Sequence, residues 1–158
     1  MLPYGSTLPI TGKLGDQLGA KPLYIAGLIV FTVASMLCGI ADSSATMVFF
    51  RILQGIGGGL ILPNAMTIVA QTFEGNERGQ ALGIWSAIAA SGSAMGPILG
   101  GYLIEHFDWR TIFFSVAPVC VISIALAIAV IPVSKRNPSA KIDYPGAALL
   151  IVSVSSLL

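Results

Sequence analysis

Charge is scarce in this chain. Lys, Arg, Asp and Glu make up 9% of its 158 residues, against about 25% in an ordinary globular domain. So few charges cannot coat a soluble domain, which sets aside a soluble helical core. The net charge is +1, which excludes the basic footprint of a nucleic-acid binder. Histidine is nearly absent: His106 stands alone, placed in a short polar loop and expected to be solvated. A hydrolase or metal site needs clustered nucleophiles, carboxylates or histidines, so no enzyme, metal or cofactor is expected. Cysteine occurs twice, as Cys38 and Cys120, each inside an apolar run. Small buried side chains are the plain reading, with a disulfide or metal site as the alternative. The first dozen residues lack a basic start and are interrupted by Pro3 and Pro9, so no cleavable signal peptide is expected.

Apolar residues make up 55% of the chain and fall into long runs. A helix needs about 20 residues to cross hydrocarbon. Residues 22–41, 45–73, 79–104 and 111–133 each reach that length, and Arg51 is the single charge inside them. The stretches 1–12 and 144–158 are apolar but shorter, and are expected to be parts of two further spans. The prediction is an all-α, polytopic transmembrane helix bundle, one membrane domain over residues 1–158. Alternate connecting loops hold Lys13 and Lys21, then Arg78, then Lys135, Arg136 and Lys141. The loops between them hold no basic residue in one case and only Arg110 in the other. Basic residues accumulate on the cytoplasmic side, so the three richer loops are placed inside, with Asp42 and His106 outside.

The stretch Arg51-Ile52-Leu53-Gln54-Gly55-Ile56-Gly57-Gly58-Gly59 organises the chain. In water it makes a poor helix, because each glycine costs about 1 kcal/mol against alanine. In a bilayer the backbone must satisfy its own hydrogen bonds, and small residues let helices approach closely. An arginine there costs roughly 2.5–3.5 kcal/mol on insertion scales. Either it snorkels to the outer surface or it is kept for a pathway or a partner. Arg51 and Gln54 are three residues apart and share a helix face. Gly55 and Gly59, four apart, make a small-xxx-small surface. No nucleotide loop is read here: the third glycine of a dinucleotide fingerprint would fall on Leu60, and no strand precedes it.

Two other stretches stand out. Gly12-Lys13-Leu14-Gly15-Asp16-Gln17-Leu18-Gly19-Ala20-Lys21 lies in a loop between spans. Gly12 and Gly19 allow tight turns, and Asp16 sets a carboxylate at the mouth of the bundle, within reach of a cation or a helix N-terminus. An ordinary polar turn is the plain reading. Gly92, Gly96 and Gly100 recur every four residues beside Pro97 and Gly101, with Gly83 and Ala87 earlier in the run. That makes a smooth face with a proline in its outer half, suited to generic packing or to a joint between moving halves. Asp108-Trp109-Arg110 joins an aromatic to charges, as expected at the edge of a span.

Together these stretches resemble the major facilitator superfamily, and more narrowly its drug:proton antiporter branch with fourteen spans. Gly12 to Lys21 is similar to the loop motif after the second span. Arg51-x-x-Gln54-Gly55-x-Gly57 is similar to the fourth-span motif. Gly92-x-x-x-Gly96-Pro97-x-x-Gly100-Gly101 is similar to the antiporter motif of the fifth. The short loop 135–143 before Tyr144-Pro145-Gly146 resembles the fourteen-span branch. The resemblance covers essentially the whole chain, from the late second span to the early seventh. It implies part of the N-terminal half of a major facilitator fold, in a bacterial inner membrane, acting on protons and a small-molecule solute. Arg51 and Gln54 would serve proton coupling. Asp16, with Gly12, Gly19, Lys21 and Arg78, would form a cytoplasmic charge network, with Asp16 paired to Arg78. The Gly96–Pro97 face would pack against the missing remainder of the transporter. Gln17 and Ala20 stand where the loop motif usually has basic residues, which weakens the network or makes it borrow Arg78. A truncated, non-transporting membrane piece, a structural subunit and a same-fold importer are the alternatives.

Overall fold

The computed structural model describes Gly15 and residues 18–132. The partial spans 1–12 and 144–158, the loop 135–143, and Gly12 and Asp16 lie outside the described residues. Four helices follow one another: α1, Ala20–Gly39; α2, Ser44–Thr72; α3, Gly75–His106; and α4, Arg110–Val130. All four are long and apolar enough to cross a membrane.

The helices start for local reasons. Gly19, at the N-cap of α1, has φ of 97°, a left-handed conformation that favours glycine. Pro22 falls in the first turn, where its missing N–H has no intrahelical partner to lose. Ser43 caps α2 in a capping box with Thr46, each side chain bonding the other's backbone N–H at 3.2 Å. Pro63, Pro97 and Pro118 lie inside α2, α3 and α4. A soluble helix seldom tolerates such prolines, but a membrane helix does.

Two junctions differ from the sequence expectation. The polar stretch 74–78 is not a free loop: α3 begins at Gly75, so Asn76, Glu77 and Arg78 form its first turn. Glu77 there complements the helix dipole. At the far end His106 is the last residue of α3 instead of part of a loop. It stacks on Tyr102 with ring centroids 4.2 Å apart. Both changes lengthen α3 to 32 residues, about 48 Å at the helical rise. That exceeds the roughly 30 Å of hydrocarbon, so polar letters ride on the same helix beyond its apolar middle.

Helix α1 is the centre of the bundle, packing against both α2 and α4. Its direction is opposite to both. Lys21, at its start, meets the end of α4, and Ala41, just past its end, meets Arg110 at the start of α4. Ala20, Gly27, Leu28, Thr32, Ala34, Ser35, Cys38 and Gly39 are buried along α1. On α4 the buried residues are Phe113, Cys120 and Ala127, seven apart, so one stripe faces α1. Cys38 and Cys120 are both buried and free thiols. Helix α3 is different: it makes only marginal contact with α2 and α4, and none of its residues is buried.

Candidate functional site

The arginine of α2 sits two turns into the helix. Its Nη1 donates to Gln54 Oε1 at 3.1 Å, one turn on along the same face. Gln54 is buried although polar, and a buried carboxamide needs such a partner. The guanidinium also lies over the ring of Phe113 on α4, with Cζ 4.6 Å from the centroid. Phe113 is held in turn. Ser35 on α1 donates its hydroxyl to the Phe113 carbonyl at 3.0 Å, and Trp109 meets the ring edge-on, centroids 6.0 Å apart at 89°. Three helices thus converge on one cation. The sequence pointed to Arg51 and Gln54; it gave no sign of Phe113 or Ser35, which are ordinary letters in apolar runs.

The same end of the bundle carries an ion pair. Arg110 Nη2 lies 3.5 Å from Asp42 Oδ1 and donates to the Ala41 carbonyl at 3.1 Å. Its backbone N–H donates to Asp108 Oδ1 at 3.2 Å, and its guanidinium lies 5.1 Å from the Trp109 ring. The Asp108-Trp109-Arg110 edge therefore ties the start of α4 to the turn after α1. Asp42 is almost fully exposed, and such pairs are worth little in energy. Their use here is to fix register.

The opposite end holds the loop motif. The Lys21 ammonium donates to the carbonyls of Ile128, at 3.0 Å, and Ile131, at 2.6 Å. The last carbonyls of a helix have no intrahelical donor, and its C-terminus carries partial negative charge. Lys21 meets both needs of α4 from a position 107 residues away. Gly19 N–H donates to the Gly15 carbonyl at 2.9 Å, continuing the motif into α1. A Cβ built on Gly15 would collide with Asn64 Oδ1. Asn64, on α2, is buried and donates its Nδ2 to the Leu60 carbonyl at 2.7 Å. The sequence reading did not single it out. Arg78 is exposed in the first turn of α3; its expected pairing with Asp16 lies outside the described residues.

The glycines divide into two groups. A Cβ on Gly57 would lie 2.6 Å from the Phe31 backbone nitrogen and 2.9 Å from Phe31 Cα. A Cβ on Gly27 would lie 2.7 Å from Leu60 Cβ and 3.0 Å from the Gly57 carbonyl oxygen. Helices α1 and α2 therefore meet backbone to backbone at this crossing. Gly55 is half-buried and Gly59 buried. Around Gly92, Gly96, Gly100 and Gly101 on α3 nothing lies within 4 Å of a would-be Cβ, and Pro97 is exposed beside them.

Comparison with known proteins bears on this arrangement. The family model of the Major Facilitator Superfamily matches residues 1–158. A multidrug transporter protein of Bacillus subtilis, MdtP, is 35% identical over 158 residues, covering all of this chain and 29% of the relative. The riboflavin transporter RibZ of Clostridioides difficile is 35% identical, covering all of this chain and 35% of its own. An uncharacterised MFS-type transporter of Mycobacterium tuberculosis, Rv1250, is 38% identical over 94% of this chain and 26% of its own. This chain therefore spans about a quarter to a third of the length of these relatives. Among solved structures, a peptide transporter POT crystallised with sulfate superposes with a TM-score of 0.75 over 99% of this chain and 34% of that one, at 17% identity. At that identity the likeness speaks for the fold alone.

Proposed function

Since the chain belongs to the major facilitator superfamily and is a multi-pass membrane protein, we propose that it is part of a carrier that exports small lipophilic solutes in exchange for protons. The carrier is of the fourteen-span drug:proton kind and sits in a bacterial inner membrane. The remaining spans supply the other wall of the solute cavity, which in this class of fold lies between two halves. No bond of the solute is made or broken. Two conformations alternate access, and protons and solute each shift the balance by their differential affinity for them.

The observation that carries this reading is the Arg51 cluster. A cation inside an apolar span, exposed among the described residues yet bonded to a buried Gln54 and laid on a phenylalanine, is costly in a membrane unless it has a task. Releasing or tuning a nearby acid on the other helices is such a task. The relatives named as multidrug proteins support drugs as the solute class. The test uses the intact carrier in inverted vesicles. Arg51→Ala is expected to abolish proton-driven uptake while membrane insertion is retained. Undiminished uptake by the variant overturns the coupling role.

A second reading is an importer of a small metabolite on the same fold, favoured by the similarity to a protein named as a riboflavin transporter. Flux direction separates the two. Export gives uptake into inverted vesicles, and import gives uptake into right-side-out ones.

A further inference from the structure

Arg51 is short of partners for a guanidinium. It has five N–H donors in a planar fork, and one bond, to Gln54, is described. Among the described residues no carboxylate pairs with it. Among the described residues its charge also meets the ring of Phe113, 4.6 Å from Cζ. An aromatic face attracts a cation within about 6 Å of its centroid, and more strongly where water is excluded. Phe113 is buried while Arg51 is exposed among the described residues, so the ring shields one side of the guanidinium.

Phe113 is also anchored to its neighbours. Ser35 bonds its backbone carbonyl, and its ring packs in a T-shape with Trp109. A Cβ on Gly39 of α1 would lie 2.7–3.0 Å from the next ring, that of Phe114. The start of α4 is thus fixed on α1. Helices α2 and α4 both pack on α1 but have no close backbone approach to each other. The Arg51–Phe113 contact bridges them through side chains.

We propose that Phe113 is a positioning residue for Arg51: with its backbone anchored by Ser35 and its ring packed on Trp109, its ring face orients the guanidinium between α2 and α4. Its importance for transport rests on the coupling reading of Arg51 given above; the contact itself does not.

The experiment replaces Phe113 in the intact carrier by phenylalanines of increasing ring fluorination, which weaken the negative face with little change of volume. Proton-driven uptake in inverted vesicles is expected to fall stepwise with each fluorine. Phe113→Leu is expected to lose about tenfold, the size of a partly desolvated cation–π contact. A flat fluorination series with Arg51→Ala inactive overturns the proposal. If Arg51→Ala still transports, the coupling reading fails, and the contact is judged by thermal unfolding in detergent. There, Arg51→Met and Phe113→Leu giving a combined shift smaller than the sum of the two supports the proposal, and strict additivity overturns it. The fluorinated series serves in both assays should Phe113→Leu fail to insert.

Discussion

Helices α1 and α3 are written in similar letters and end in opposite surroundings. Both are uncharged through their apolar middle and rich in small residues. On α1, Gly27 and Gly39 each stand where a single added carbon would strike a neighbour. On α3, Gly83, Gly92, Gly96, Gly100 and Gly101 face open space. Small residues at helical spacing therefore state that a helix can be approached closely. They do not state what approaches. In α1 the occupants are α2 and α4. In α3 the smooth face is free among the described residues.

The comparison can be broken or sharpened by adding one carbon at a time. The largest effect is expected at the α1–α2 crossing. Gly57→Ala sets a methyl against the backbone of Phe31, which cannot swing aside. A loss of about 2–3 kcal/mol is expected, in the upper range for overpacking, read as a lower unfolding midpoint of the intact carrier in detergent. A midpoint equal to wild type would show that the crossing is looser than described. A smaller effect is expected at Ser35, whose hydroxyl joins α1 to α4. Ser35→Ala removes the bond but leaves the Phe113 carbonyl buried, for a loss of about 1–2 kcal/mol. The smallest effect on stability is expected on α3. Among the described residues Gly96→Ala meets nothing within 4 Å, so against these helices alone it is expected to cost nothing and to gain up to about 1 kcal/mol through helix propensity. A large drop for Gly96→Ala in the intact carrier would reveal a helix seated against this face as tightly as α2 is seated on α1.

The Arg51 site was only partly legible. Arg51 and Gln54 are three residues apart, and helical geometry alone puts them on one face, where they are bonded at 3.1 Å. Phe113 could not be found that way. It reaches Arg51 because α4 returns along α1, and Ser35, the residue that fixes it, lies 78 positions earlier. Lys21 shows the same limit. Its place in the loop motif was plain, but its bonds to Ile128 and Ile131 depend on where α4 ends. The glycines illustrate a third case. Spacing drew attention to Gly55 and Gly59, and the backbone contact described between α1 and α2 also involves Gly57, which the spacing did not mark. The start of α3 is not legible in the polarity of residues 74–78, because polar residues continue a helix readily once it leaves the apolar layer.

By itself the sequence determined the medium, the helices and their order. Long uncharged runs leave hydrocarbon as the only solvent in which they are stable, and in hydrocarbon a backbone with no water to bond must coil. Only the tertiary structure decided which faces meet, that a phenylalanine on α4 lies under the arginine of α2, and that a lysine closes the end of a helix 107 residues later. Those choices depend on shape and close contact between distant segments, to which the local composition of each segment is blind.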